Sequence, residues 1–114
     1  MKIAQFEDIL AWQKGHTLTV EIYREFSKCK DYSFRDQIQR ATVSIMNNVA
    51  EGFERGSNAD FRRFLFMAKG SSGEVRSLLR LALSLNYIPR SRFDTLSPLT
   101  VEISRILSGF IKTL

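Results

Sequence analysis

The chain has 114 residues, 44% of them hydrophobic and 25% charged, which suits one globular domain with one core and excludes a disordered segment. One cysteine (Cys29) and one histidine (His16) exclude an intramolecular disulfide, a cysteine-based zinc site and a paired-histidine metal motif. Net charge is +5, and its placement is uneven: residues 1–56 hold eight basic and eight acidic side chains, residues 57–114 nine basic and four acidic.

The N-terminus, Met1 to Asp8, has no apolar core of signal-peptide length. The most apolar stretch, residues 78–88, is interrupted by Arg80, so no membrane span is expected and a cytoplasmic location is the default. Residues 1–114 are read as a single domain.

Four helices are predicted in chain order. Helix 1 covers about residues 8–28 and carries Ile9, Trp12, Leu18, Ile22, Tyr23 and Phe26 at helical spacing. Helix 2 covers 34–55, with Ile38, Thr42, Ile45, Val49 and Phe53 on one line and Gly56 as a left-handed stop. Helix 3 covers 58–86 and ends ahead of Pro89. Helix 4 covers 92–113, with a kink or restart expected at Pro98. Three serine–aspartate pairs, Ser33/Asp36, Ser57/Asp60 and Ser91/Asp94, read as capping boxes at the starts of helices 2, 3 and 4. Long helices joined by short connections give an all-α, antiparallel up-down-up-down four-helix bundle.

Helix 3 has more apolar surface than one core face needs. Phe61, Phe64, Phe66 and Met67 crowd one turn, which points to a homo-oligomer contact. Phe66, Gly70, Gly73 and Ser77 share one line along it, and each glycine there costs about 1 kcal/mol relative to alanine. Close packing at Gly70 and Gly73, against another helix or a neighbouring subunit, is therefore expected.

Two polar lines stand out. On helix 2, Gln37, Ser44, Asn48, Glu51 and Arg55, with Arg40 alongside, lie roughly 100° from the apolar line. Serine and asparagine suit an exposed helix poorly, so a hydrogen-bonded network is expected, within the chain or across a subunit contact, with Arg40 or Arg55 against Glu51. On helix 3, Arg62, Lys69, Arg76 and Arg80, with Arg63 nearby, share one face. This is the candidate polyanion surface, extended by Arg90 and Arg92.

The chemistry of catalysis is thin. His16 reads as a core or interface residue, Cys29 as an incidental thiol, and neither a phosphate-cradling loop nor a nucleophile elbow is present. No enzyme activity, metal or cofactor is expected.

The segment from Gln37 to Arg55 resembles the signature helix of the 23S rRNA intervening-sequence protein family, the four-helix bundle protein family. Residues 6–13, 61–65 and 68–74 fit the same pattern, so the resemblance spans essentially the whole chain. Gly15, where alanine is commoner, and Pro98 depart from it. The resemblance implies a ring-like homo-oligomer, a pentamer, of antiparallel bundles. It also implies kinship to the accessory protein of diversity-generating retroelements, which works with a reverse transcriptase and nucleic acid. It confers no catalytic residues.

Two functional readings follow. One is a non-catalytic, homo-oligomeric accessory protein that binds RNA or other nucleic acid through Arg62, Arg63, Lys69, Arg76 and Arg80. The other is a protein-interaction scaffold without nucleic-acid affinity, which predicts a stable ring and a co-purifying protein partner. The partners expected across the two readings are the chain itself and RNA or a nucleic-acid-associated protein.

Overall fold

The computed structural model describes residues 2–114. After a single 3-10 turn, Phe6–Asp8, come four helices: α1 (Leu10–Glu25), α2 (Tyr32–Glu54), α3 (Asn58–Ser84) and α4 (Arg90–Ile111). No strand occurs among the described residues. The order α1–α2–α3–α4 runs around a square, with α1 touching α4 and neither diagonal pair in contact. Residue pairing across the seams shows that neighbours are antiparallel. Lys69 shares a wall with Lys112 while Arg80 shares one with Ser97 on α3–α4, and Lys14 meets Glu102 while Glu25 meets Arg92 on α1–α4. Gly15 lies against Ile45 and Met46 while Thr19 reaches Thr42, and Gly52 lies against Phe64 while Ser44 meets Ser71. At a rise of about 1.5 Å per residue, α3 alone is about 40 Å long, which accounts for the 43 Å long axis.

The buried stripes of the four helices meet along the axis. Leu18, Ile22 and Phe26 face Ile38, Ile45 and Val49, with Leu65, Val75 and Leu79 across from Leu96, Ile103 and Leu107, all fully buried. Each of these side chains contributes about 1.5–3 kcal/mol through burial, so the apolar spacing dictates the bundle. Three buried hydroxyls are satisfied by backbone carbonyls: Thr42 donates to Ile38 O (2.6 Å) and Thr100 to Ser97 O (2.6 Å) within their own helices, and Ser72 of α3 donates to Thr100 O of α4 (2.9 Å). No helix of the described residues is long and apolar enough to cross a membrane.

The helix ends correct several expectations. Ile9 is extended, so α1 begins at Leu10 rather than near residue 8, and it ends at Glu25, where Phe26 leaves helical geometry. Only Ser57 caps as expected, accepting from Asp60 N at 3.1 Å; the Asp60 carboxylate pairs with Arg63. Ser33 lies inside α2, because Asp31 takes the cap by accepting from Phe34 N at 3.1 Å. Ser91 lies inside the first turn of α4, which starts directly after extended Pro89. Gly56 does adopt the left-handed stop, at φ 85°, and Asn86 does so after α3, at φ 59°. The bonds Tyr87 N to Ala82 O and Asn86 N to Leu83 O close that end as a Schellman motif.

Pro98 neither restarts nor interrupts α4, which is continuous through it. The ring lies on the exposed side, where water can satisfy the carbonyl that loses its partner.

Asp31 does two jobs. Its other carboxylate oxygen accepts from Tyr87 Oη at 2.9 Å, joining the α1–α2 loop to the α3–α4 loop, and this bond pushes the Tyr87 phenol above its ordinary pKa. Asp31→Ala is expected to lower stability by about 1–2 kcal/mol, and Ser33→Ala to change it by less than about 0.5 kcal/mol. Urea unfolding of the two variants checks this, and equal losses would show that Asp31 is not the cap.

Candidate nucleic-acid interface

Arg62, Lys69 and Arg76 recur every seven residues on α3, and Arg80 follows one turn later, so all four share a face. That face borders α4. Across the seam stand Ser97, Val101, Ser104, Arg105, Ser108 and Lys112, and with Lys69, Arg76 and Arg80 they enclose adjoining open depressions of about 590 and 520 Å³, with Arg62 beyond their end. The seam is tight because its residues are small: buried Ser72 bonds Thr100 O and accepts from Ser104 Oγ at 3.1 Å. Gly73 and Gly109 carry no side chains on the two walls, which leaves a furrow with cations along its rims.

Charge in the furrow is unbalanced. Among the described residues, Lys69, Arg76, Arg80, Arg105 and Lys112 make no ion pair. Three of the four carboxylates on these two helices are engaged elsewhere: Asp60 by Arg63, Asp94 by Arg90 and Glu102 by Lys14 of α1. The fourth, Glu74, lies more than about 100° around α3 from the basic line. Arg80 is braced, with its guanidinium 5.4 Å from the centre of the Phe93 ring.

Not every candidate joins this surface. Arg63 is turned away from the line and pairs with Asp60 at 3.3 Å. Arg90 is exposed at the far end, paired with Asp94. Arg92 points to α1, where Glu25 and Glu21 hold it at 2.7 and 2.8 Å, so the expected extension through Arg92 is corrected. Arg105 and Lys112 were missed by sequence reasoning, although their spacing of seven repeats that of Arg62, Lys69 and Arg76.

The helix-2 polar line divides. Its middle joins α2 to α3: Ser44 Oγ meets Ser71 Oγ at 2.9 Å, and Asn48 Nδ2 donates to Ser44 O and Oγ at 2.8 and 2.9 Å. At its end, Glu51 pairs with Arg55 at 2.9 Å, the pairing expected for Arg55, and the guanidinium lies 5.0 Å from the Phe64 ring. Gln37 and Arg40 are exposed.

Within the chain, the close-packed glycines are not the expected pair. A Cβ at Gly70 or Gly73 meets nothing within 4 Å, whereas one at Gly52 falls 2.6 Å from Phe64 Cβ and one at Gly15 3.2 Å from Ile45 Cγ2. The crowded turn of α3 resolves as Phe61 and Phe64 buried, with Phe66 and Met67 exposed. His16 is exposed rather than in the core, stacked on Trp12 with ring centres 5.2 Å apart. Cys29 is half-buried in the α1–α2 loop. No group of three or more His, Cys, Asp or Glu side chains suited to a metal ion occurs among the described residues.

The sequence profile of the 23S rRNA-intervening sequence proteins matches residues 7–109, which takes in all of α1, α2 and α3 and nearly all of α4. The chain belongs to the 23S rRNA-intervening sequence protein family. A 23S rRNA-intervening sequence protein is thus built here on a square bundle whose positive excess is gathered on one pair of helices. The chain is also similar to a crystal structure from Bacteroides thetaiotaomicron VPI-5482, a protein of unknown function from the S23 ribosomal protein family. The TM-score is 0.84 at 27% identity, covering 90% of this chain and 99% of that one. No curated protein matches the chain. The S23 relative carries no assigned activity, so the functional reading rests on geometry and charge.

Proposed function

We propose that this protein is a non-catalytic accessory protein that binds nucleic acid, RNA foremost, through the α3–α4 furrow and acts as a homo-oligomer. The observation that carries the reading is the row of unpaired cations, Lys69, Arg76, Arg80, Arg105 and Lys112, on both rims of one groove. Such a row attracts phosphates without reading bases, and its affinity depends on counterion release. Arg62 extends the row; Arg63, tied to Asp60, contributes least.

Self-association is the second part of the reading. Met67, Leu81 and Leu85 are each 45% exposed on the flank of α3 that borders α2, beside the Ser44–Asn48 line. An apolar flank next to a polar seam suits a contact between copies, and the family resemblance implies a pentamer. Copies presenting one furrow each would multiply a weak site by avidity.

The test combines light scattering with a salt titration of binding to a labelled structured RNA. A mass above that of one chain is expected, with log affinity falling against log salt at a slope of about −3.5 to −4.5 for five neutralised phosphates. Arg76→Glu with Arg80→Glu is expected to weaken binding at least tenfold while leaving the chain folded, with the melting temperature lowered by no more than about 8 °C through loss of the Arg80–Phe93 contact. Binding indifferent to salt, or unaltered by the double reversal, defeats the reading.

A further inference from the structure

The inference that follows rests on the nucleic-acid reading of the α3–α4 furrow and names the form of nucleic acid it takes. We propose that the furrow binds single-stranded polynucleotide, with the Phe66 ring as the platform on which an unpaired base stacks.

Phe66 is the observation that the phosphate-binding row leaves unexplained. It is 50% exposed, on the outer shoulder of α3, between Arg62 and Lys69 in sequence and about 40–60° around the helix from them. The Arg62 guanidinium lies 5.6 Å from its ring centre, so one face of the ring is already braced by a cation, and within the chain no other aromatic ring stacks on it. The next positions along its line, Gly70 and Gly73, have nothing within 4 Å of where a Cβ would stand. The ring's own line is therefore open, and between it and the furrow stand the long side chains of Arg62 and Lys69, so a strand held by those cations can turn a base over the rim onto the ring. An exposed aromatic beside a run of cations is the arrangement that holds single strands: the groove follows the backbone, and the ring covers a base face.

The shape favours a single strand over a duplex. The furrow is the gap between two helices packed in direct contact through Ser72, Thr100 and Ser104, whose axes stand about 8–10 Å apart. An extended strand can lie in it and touch both rims. A duplex can only rest across the top, offering phosphates but no base face, since its bases are already stacked and paired. From Arg62 to Arg80 the row extends about 27 Å along α3, within the reach of a short oligonucleotide.

The shared chemistry, a phosphodiester chain with unpaired bases, occurs in RNA and DNA, and the experiment carries an arm for each. Fluorescence anisotropy at low salt would compare the full chain with labelled oligouridylate, oligothymidylate and a duplex RNA of matched length, each about 12 nucleotides per strand. Either single strand is expected to bind at least tenfold more tightly than the duplex, and a preference for oligouridylate would support the proposal with RNA as the source. Phe66→Ala is expected to weaken the single-strand complex about 5- to 150-fold while leaving duplex binding unchanged, and Phe66→Trp to restore it. Equal losses for single strand and duplex, or no loss, overturn the proposal. So does a Phe66→Ala variant whose weaker binding follows a change in molar mass by light scattering, which would make the ring a contact between copies. If Arg76→Glu with Arg80→Glu abolishes binding while Phe66→Ala does nothing, the nucleic-acid reading stands and this inference alone fails. If the unaltered chain binds no probe, the underlying reading fails first.

Discussion

Replacing Gly52 with valine should lower stability by about 3 kcal/mol, whereas alanine at Gly70 or Gly73 should raise it by about 0.5–1 kcal/mol each. The opposite signs come from what stands opposite each residue. A Cβ at Gly52 would lie 2.6 Å from Phe64 Cβ and 3.1 Å from Phe61 Cδ1. Phe64 Cβ is one bond from the backbone, so no rotamer change relieves the first contact, and α2 and α3 would have to separate. Gly70 and Gly73 face open space, so alanine there adds no contact and removes only the entropy that glycine loses on folding. In a domain near this size about 1 kcal/mol moves the melting midpoint by about 4–8 °C. Thermal melts should therefore show a drop of roughly 10–20 °C for Gly52→Val and a rise for the other two. A Gly52→Val chain that melts with the unaltered one would show that α2 and α3 do not approach closely there.

These glycines also mark where sequence reasoning reaches its limit. Spacing places Gly70 and Gly73 on one line of α3, but not which neighbour, if any, that line meets. Gly15 stood out only as a departure from the family pattern and Gly52 not at all, because what makes them necessary sits on another helix, Ile45 in one case and Phe64 in the other. Helix identity was legible because the apolar period is a property of each segment alone. The start of α2 was not: Ser33 and Asp31 are both good caps two residues apart. The decision lies in tertiary contacts, where Phe34 packs edge-on between Phe26 and Tyr87 at 5.5 and 5.3 Å while Tyr87 bonds Asp31. The candidate interface divides in the same way. Its α3 rim shows as a heptad of cations, and its α4 rim emerges only when the pairing of α3 with α4 brings Arg105 and Lys112 beside Lys69. Arg92 shows the converse, a cation counted toward the basic surface that the fold spends on α1.

That ion pair carries a stability prediction of its own. Arg92 Nε donates to Glu25 Oε1 at 2.7 Å and Nη2 to Glu21 Oε1 at 2.8 Å, so one guanidinium on α4 clamps two successive turns of α1. All three side chains are about a third exposed or less. Arg92→Ala should therefore cost about 2 kcal/mol near neutral pH, after allowance for solvent screening. The more exposed Lys14–Glu102 contact, at 3.5 Å, should be worth less than about 0.5 kcal/mol. The effect is pH-dependent through Glu21, whose carboxyl the Arg92 hydrogen bond holds below its ordinary pKa, against burial and with help from the charges of Arg92 and Arg24. A depressed carboxylate pKa gives stability that is complete above the unfolded-state value, near 4.5, and that drains away as pH falls through the folded value. Arg92 itself is pushed upward by Glu25 and then Glu21, so it stays charged throughout. Urea unfolding at neutral pH and again well below pH 4 should find the gap between Arg92→Ala and the unaltered chain narrowing with acid. A gap of the same size in acid would mean that the arginine holds α1 through its apolar stem, and that the charges at this seam contribute nothing to joining the two helices.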